Sequence, residues 1–122
     1  EKNCPHRKAS SDLDVELADG TTDGDYLAKL GEILPALLSI VRPDMVFFNA
    51  GVDPHADDKL GRLSLTDEGL ARREAYVLGA CLSSDIPVVG VIGGGYDADI
   101  DRLAARHAIL HRTAKSLYSS VA

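Results

Sequence analysis

Apolar positions recur at two different spacings along this chain, and the alternation between the spacings predicts its architecture. From Asp25 to Arg42, residues Tyr26, Leu27, Leu30, Ile33, Leu34, Leu37, Leu38 and Val41 fall three and four apart, the stripe of an amphipathic helix. Asp23 and Asp25 suit its start, where the helix dipole favours negative charge, and Arg42-Pro43 suits its end. Pro35 lies inside and is expected to kink the helix or loosen one turn. "MVFFNA", Met45 to Ala50, is a short continuous apolar run, which predicts a strand buried on both faces as in a parallel sheet. Helical spacing returns in "TDEGLARREAYVLGACLSS", with Thr66 as N-cap and Asp67 and Glu68 in the first turn. "IPVVGVIG", Ile86 to Gly93, predicts a second buried strand. A third helix follows in "ADIDRLAARHAILHRTAKSLYSS", where Ile100, Leu103, Ala104, Leu110, Ala114 and Leu117 share one face. Residues 1–24 are polar and turn-rich; the short alternation of Leu13, Val15 and Leu17 predicts an edge strand or an ordered loop.

The order helix, strand, helix, strand, helix predicts an α/β fold in which each helix crosses between parallel strands. At 122 residues the chain is one small domain. Two central strands are too few for a free-standing parallel sheet, so the chain reads as the back part of a larger one. It begins at Glu1 rather than methionine, and the expectation is that other sequence precedes it.

Composition narrows the partners. Hydrophobic residues at 45% and charged residues at 26% fit an ordinary globular protein. A formal net charge of −6 argues against attachment to nucleic acid or to an anionic membrane surface, which needs a basic face. No run of 18 apolar residues is present, so no membrane span is expected. "EKNCPHRK" carries charge with no apolar stretch behind it, so no secretory signal is read there. Cys4 and Cys81 are too far apart to suggest a zinc knuckle or a disulfide framework, and a reducing compartment, the cytoplasm, is the expected setting.

Candidate chemistry sits in two loops, one after each strand. "AGVDPHADD" holds Asp53, His55, Asp57 and Asp58; "GGGYD" holds Gly93, Gly94, Gly95 and Tyr96. In an open α/β sheet, ligands bind at the carboxyl ends of the strands, so the two loops are expected to lie side by side and form one site. Spacing alone leaves Asp53 open between a turn opener before Pro54 and a metal ligand. His55 reads more readily as a solvated loop histidine than as a ligand. Of Asp57 and Asp58, one is expected to brace the loop rather than touch a cation. Three successive glycines imply positive φ or close backbone approach, and Tyr96 at their tip is either a packing tyrosine or a neutral hydrogen-bond donor to a developing oxyanion. "GGGY" is neither a dinucleotide fingerprint nor a phosphate loop. His107 and His111 lie four apart on the third helix but lack the glutamate of a zincin, and are read as satisfied or exposed structural histidines.

"NAGVDPHADDKLGRLSLT" resembles a segment of the zinc-dependent histone deacetylases: A-G-x-D, then D-x-L-G, then a Leu-Ser-Leu-Thr start to a helix. "GGGYD" resembles the glycine–tyrosine loop of the same enzymes. "EKNCPHRKASSDLDVELADGTTDGDYL" looks like the stretch before their next helix, and "RLAARHAIL" is similar to the closing helix of bacterial and class IV-like members. The likeness covers nearly the whole chain, with both motifs in order at the ends of strands.

The resemblance implies an arginase/deacetylase-like three-layer fold with a parallel sheet, of which residues 1–122 are the C-terminal portion. It implies that Asp53 is a zinc ligand, that Tyr96 polarises the acyl carbonyl, that Gly94 and Gly95 line the acyl pocket and that Asp58 braces its loop. His55 and Asp57 match no family ligand. The family also holds zinc through an Asp-x-His pair and uses histidine bases, and neither has a counterpart here. The reading is therefore part of a zinc-dependent deacetylase acting on acetylated lysine or acetylated polyamine, inactive as this chain alone. Self-association through exposed sheet is expected of the isolated chain. Two alternatives are a non-catalytic assembly module and an unrelated α/β domain that binds a divalent cation.

Overall fold

The computed structural model describes residues 11–119. Five elements follow in order: α1 (Asp23–Val41), β1 (Val46–Asn49), α2 (Asp67–Ser83), β2 (Val88–Val91) and α3 (Ile100–Ser119). Both strands are shorter than their apolar runs. Thr66 caps α2 through its hydroxyl, which accepts from the Gly69 N–H at 3.0 Å. The same hydroxyl donates to Asp23 Oδ2 at 2.6 Å, and Thr66 N–H donates to Asp23 Oδ1 at 2.9 Å, so one carboxylate joins the starts of α1 and α2. A Cβ on Gly69 would collide with Asp23 Oδ1, which is why the first turn of α2 carries a glycine.

Arg42, at φ 47°, closes α1 in the left-handed conformation, and its N–H donates to Leu38 O. α1 runs through Pro35 as one continuous helix. Proline leaves the carbonyl four residues earlier, Gly31 O, without its helical donor. The Tyr76 hydroxyl of α2 stands over that oxygen at 3.5 Å, a long contact that partly replaces the lost one. Residues 11–20 form no strand; the chain runs there as an ordered loop that ends in a parallel bridge between Thr22 and Ser64.

β1 and β2 pair in parallel, with Val46 opposite Val88 and Asn49 opposite Val91. Helices α2 and α3 pack against each other and against one face of this sheet. Ala50, Leu78 and Leu110 form one core cluster, against which Phe48 and Val88 pack. Val52, Leu65, Leu70 and Ile109 form a second beneath the loops. A Cβ on Gly90 would lie 3.0 Å from Leu110 Cδ2, so this glycine lets α3 rest directly on the strand. Arg73 and Glu74 are both buried on α2 as a bidentate pair, with contacts of 3.0 and 2.8 Å, and the guanidinium lies over the Phe48 ring.

One face of the two strands is open in this chain, the apolar sheet surface that the sequence was expected to leave uncovered. Phe47 is 74% exposed, and Val89 and Val91 beside it on the same face are exposed too. A continuous apolar run signals an apolar environment on both sides, but α2 and α3 cover only one. Cys81 is a free, buried thiol whose pKa burial raises; Cys4 lies outside the described residues.

Candidate functional site

Strand pairing carries on past the strands and sets the loops against each other. Ala50 N–H donates to Val91 O at 2.8 Å and Val52 N–H to Gly93 O at 3.0 Å. The acidic loop and the glycine–tyrosine loop therefore leave the sheet together, from the carboxyl ends of both strands. The acidic loop turns back on itself: Leu65 N–H donates to Pro54 O at 3.1 Å, and Ala56 N–H to Leu65 O at 2.9 Å.

Asp58 links the loops. Its Oδ1 accepts from Leu60 N–H at 2.8 Å and Gly61 N–H at 2.7 Å, and its Oδ2 accepts from Tyr96 N–H at 2.7 Å. Burial pushes its pKa up, but those three N–H donors and the nearby Arg106 charge outweigh it and hold the carboxyl below its ordinary range.

Asp57 pairs with Arg106 Nη2 at 2.6 Å. His55 is 7% exposed, which corrects the expectation of a solvated histidine. Its Nδ1 accepts from Asp57 N–H at 3.0 Å, so in the neutral ring the proton sits on Nε2, 3.3 Å from Asp67 Oδ1. Both ring nitrogens are thus engaged. Among the described residues, Asp53 is left as the carboxylate of this loop with neither a hydrogen bond nor an ion pair. It is exposed, and its Oδ1 lies where a Cβ on Gly94 would collide with it and 2.7 Å from where a Cβ on Gly51 would stand.

Gly94 and Gly95 have φ of 64° and 93°, the left-handed turn expected of the glycine run. A side chain at Gly95 would lie 2.8 Å from Val52 Cγ2. Tyr96, next along, is 57% exposed and so does not serve as a packing tyrosine. Asp97 is a buried side chain held by its neighbours. The Asp99 N–H first and then Arg102, helped by Arg106, outweigh burial and lower its pKa from 3.8 to about 2. A carboxyl with a depressed native pKa stabilises the fold above its ordinary range and loses that contribution as pH falls. Asp97→Asn is therefore expected to lower the melting temperature at pH 7, with the gap to the parent protein closing between about pH 4 and about pH 2. A gap independent of pH over that window would contradict it.

His111 is exposed, whereas His107 is half-buried behind the glycine loop with its Nδ1 unpartnered, so the expectation of a satisfied or exposed residue fails for His107. Among the described residues no group of three His, Cys, Asp or Glu side chains could together hold a metal ion. Sequence reasoning passed over Arg106, the buried partner of Asp57, Asp67 and Asp97. Its signal was a charge on the apolar stripe of α3, three residues from both Leu103 and Ile109.

The histone deacetylase domain model matches residues 2–112. This chain belongs to the histone deacetylase family. It is 50% identical over 118 residues to an uncharacterized protein of Picosynechococcus sp., covering 97% of this chain and 39% of that one. It is 35% identical to histone deacetylase 2 of Arabidopsis thaliana, covering 77% and 24%. A probable deacetylase of Methanothermobacter thermautotrophicus is also 35% identical, with 66% of this chain and 23% of that protein covered. Among solved structures, the histone deacetylase Clr3 superposes with a TM-score of 0.62 and the HD domain of HDA15 with 0.63. Both are 23% identical over 79% of this chain, which covers 15% and 26% of theirs. The fold is thus that of the arginase/deacetylase class, and the chain spans between about a quarter and two fifths of these three relatives. Membership in the deacetylase family removes the reading as an unrelated cation-binding domain.

Proposed function

We propose that this deacetylase-family chain is the C-terminal part of a zinc-dependent amidohydrolase that cleaves acyl-lysine or acylated polyamine. The observation that carries the reading is the state of Asp53. Every other acidic or basic group of its loop among the described residues from His55 to Asp58 is engaged, while Asp53 faces the glycine turn unpartnered, beside the loop that presents Tyr96. These residues fit one zinc ligand, not a site: catalytic zinc takes three protein ligands. The other two, an Asp-x-His pair, and the histidine base come from outside residues 1–122.

When bound, the metal lowers the pKa of a water and polarises the amide carbonyl. Asp53 contributes an anionic oxygen on the acidic-loop side. Tyr96 donates its hydroxyl hydrogen to the carbonyl oxygen as negative charge develops there. Gly94 and Gly95 put no side chain between the two and border the acyl group. The water oxygen bonds to the acyl carbon, the C–N bond breaks as the nitrogen is protonated, and the products are a carboxylate and an ammonium that carries both of the water's protons. The acidic chain and the buried free thiol of Cys81 accord with a reducing, cytoplasmic setting and with no nucleic-acid or membrane partner.

The intact protein should hydrolyse an acetyl-lysine peptide or an acetylated polyamine and lose that activity on chelation; turnover of neither, or activity surviving complete metal removal, would falsify the reading. The 122-residue chain assayed alone with added zinc is expected to be inactive and to self-associate through the open face around Phe47. A turnover on the order of 1 per second, or a soluble monomer with a cooperative melt by sedimentation and calorimetry, would contradict those two expectations respectively.

A further inference from the structure

Three segments of the chain send a carboxylate to one guanidinium. Arg106 of α3 is 4% exposed. Its Nε donates to Asp67 Oδ1 at 3.0 Å, its Nη1 to Asp97 Oδ2 at 2.7 Å and its Nη2 to Asp57 Oδ2 at 2.6 Å. Asp57 lies on the acidic loop with Asp53, Asp97 follows Tyr96 directly, and Asp67 opens α2. We propose that Arg106 is a positioning residue: by holding Asp57 and Asp97 in one plane, it sets the separation of Asp53 from Tyr96. This inference rests on the deacetylase reading for its catalytic consequence, but the coupling of the two loops stands on the geometry alone.

Stability by itself does not explain the arrangement. An arginine at this point of the stripe loses solvation, and replacing buried ion pairs by packed apolar residues is often neutral or better. What an apolar residue cannot do is tie two loops to one point. Lysine cannot reproduce it either, because its single ammonium lacks the planar fork that reaches three acceptors in fixed directions. Tyr96 is thereby gripped on both sides. Its own N–H is held by Asp58 of the acidic loop, and the next residue is held by the arginine that also holds Asp57. Arg102 repeats the bridge less tightly at the surface, 3.0 Å from Asp97 and 3.5 Å from Asp57. Misplacing a reacting group by about 1 Å costs roughly 10²-fold in rate, so a modest loosening is readable.

The test uses the intact protein with Arg106→Lys and, in case that variant fails to fold, Asp57→Asn. The first readout is amide hydrogen exchange at Tyr96, whose N–H no variant touches directly. The second is kcat against KM on an acetyl-lysine peptide. Asp57→Asn takes the charge from the Arg106 contact on one loop and is expected to speed exchange on the other by about tenfold or more, with the global melt nearly unchanged. The expected kinetic result is a fall in kcat of about tenfold or more with KM within about twofold. Exchange at Tyr96 that is unchanged, or that rises only in step with global unfolding, overturns the coupling. Faster exchange with an unaltered kcat in an active enzyme overturns the positioning role. An inactive parent protein would instead sink the deacetylase reading, and the exchange measurement would still decide whether the loops are coupled.

Discussion

Tyr96→Phe in the intact enzyme is expected to lower kcat by about 10²–10³-fold, the usual effect of deleting one oxyanion donor. Metal content and melting temperature should stay where they are. The ring is more than half exposed, so removing its oxygen disturbs no packing. Among the described residues the hydroxyl has no partner that would be left unsatisfied. What fixes the residue is its backbone, through Asp58, and its successor Asp97, through two arginines; neither attachment involves the phenol. The loss should therefore appear in kcat more than in KM, because the hydrogen bond strengthens only as charge grows on the carbonyl oxygen. Parent-like kcat from Tyr96→Phe, measured beside an unchanged zinc content, would take the donor role from this residue.

Asp53→Ala should go further and remove both zinc and activity. A three-ligand site that loses an anionic ligand has two left, and catalytic zinc sites use three. No neighbour can substitute, since Asp57 is on Arg106, Asp58 is on three backbone N–H groups, and both nitrogens of His55 are engaged. Asp53 makes no hydrogen bond or ion pair among the described residues, so alanine removes no contact that shapes the loop. Elemental analysis of the purified variant decides the matter. Zinc at parent stoichiometry in Asp53→Ala would show that Asp53 is not a ligand.

The elements were legible because local rules set them: the three-and-four spacing in α1, the Thr66 cap of α2, the arginine–proline end after Val41. The side-by-side placement of the two loops was legible because both leave the carboxyl ends of paired strands. Burial was not. "MVFFNA" is apolar at nearly every position, yet whether Phe47 is covered depends on what packs over it, and nothing in the run records that. Nor could spacing rank the acids of the loop. Asp58 is engaged by Tyr96 N–H and Asp57 by Arg106, partners far along the chain that only the fold brings near. His55 sits in a loop and is buried nonetheless, because Asp67 of α2 gives its Nε2 a partner. Arg106 was the one residue whose local pattern did signal something, a cation on an apolar stripe, though not what it held.

The pairing of β1 with β2 also works as a ruler. Asn49 lies opposite Val91, and two further backbone hydrogen bonds extend that alignment to Val52 and Gly93, one residue short of Asp53 and three short of Tyr96. Sliding one strand by a single residue would displace Asp53 relative to Tyr96 by about 3.3 Å and turn every side chain to the opposite face. That is more than a hydrogen bond can absorb. Insertions and deletions inside either strand should thus be as damaging as loss of a reacting group, while the outer turn around Lys59 and Leu60 can vary in sequence, provided Asp58 still meets its backbone donors. Strand alignment fixes where the two loops leave the sheet, and the side chains that join them act on loops already in register.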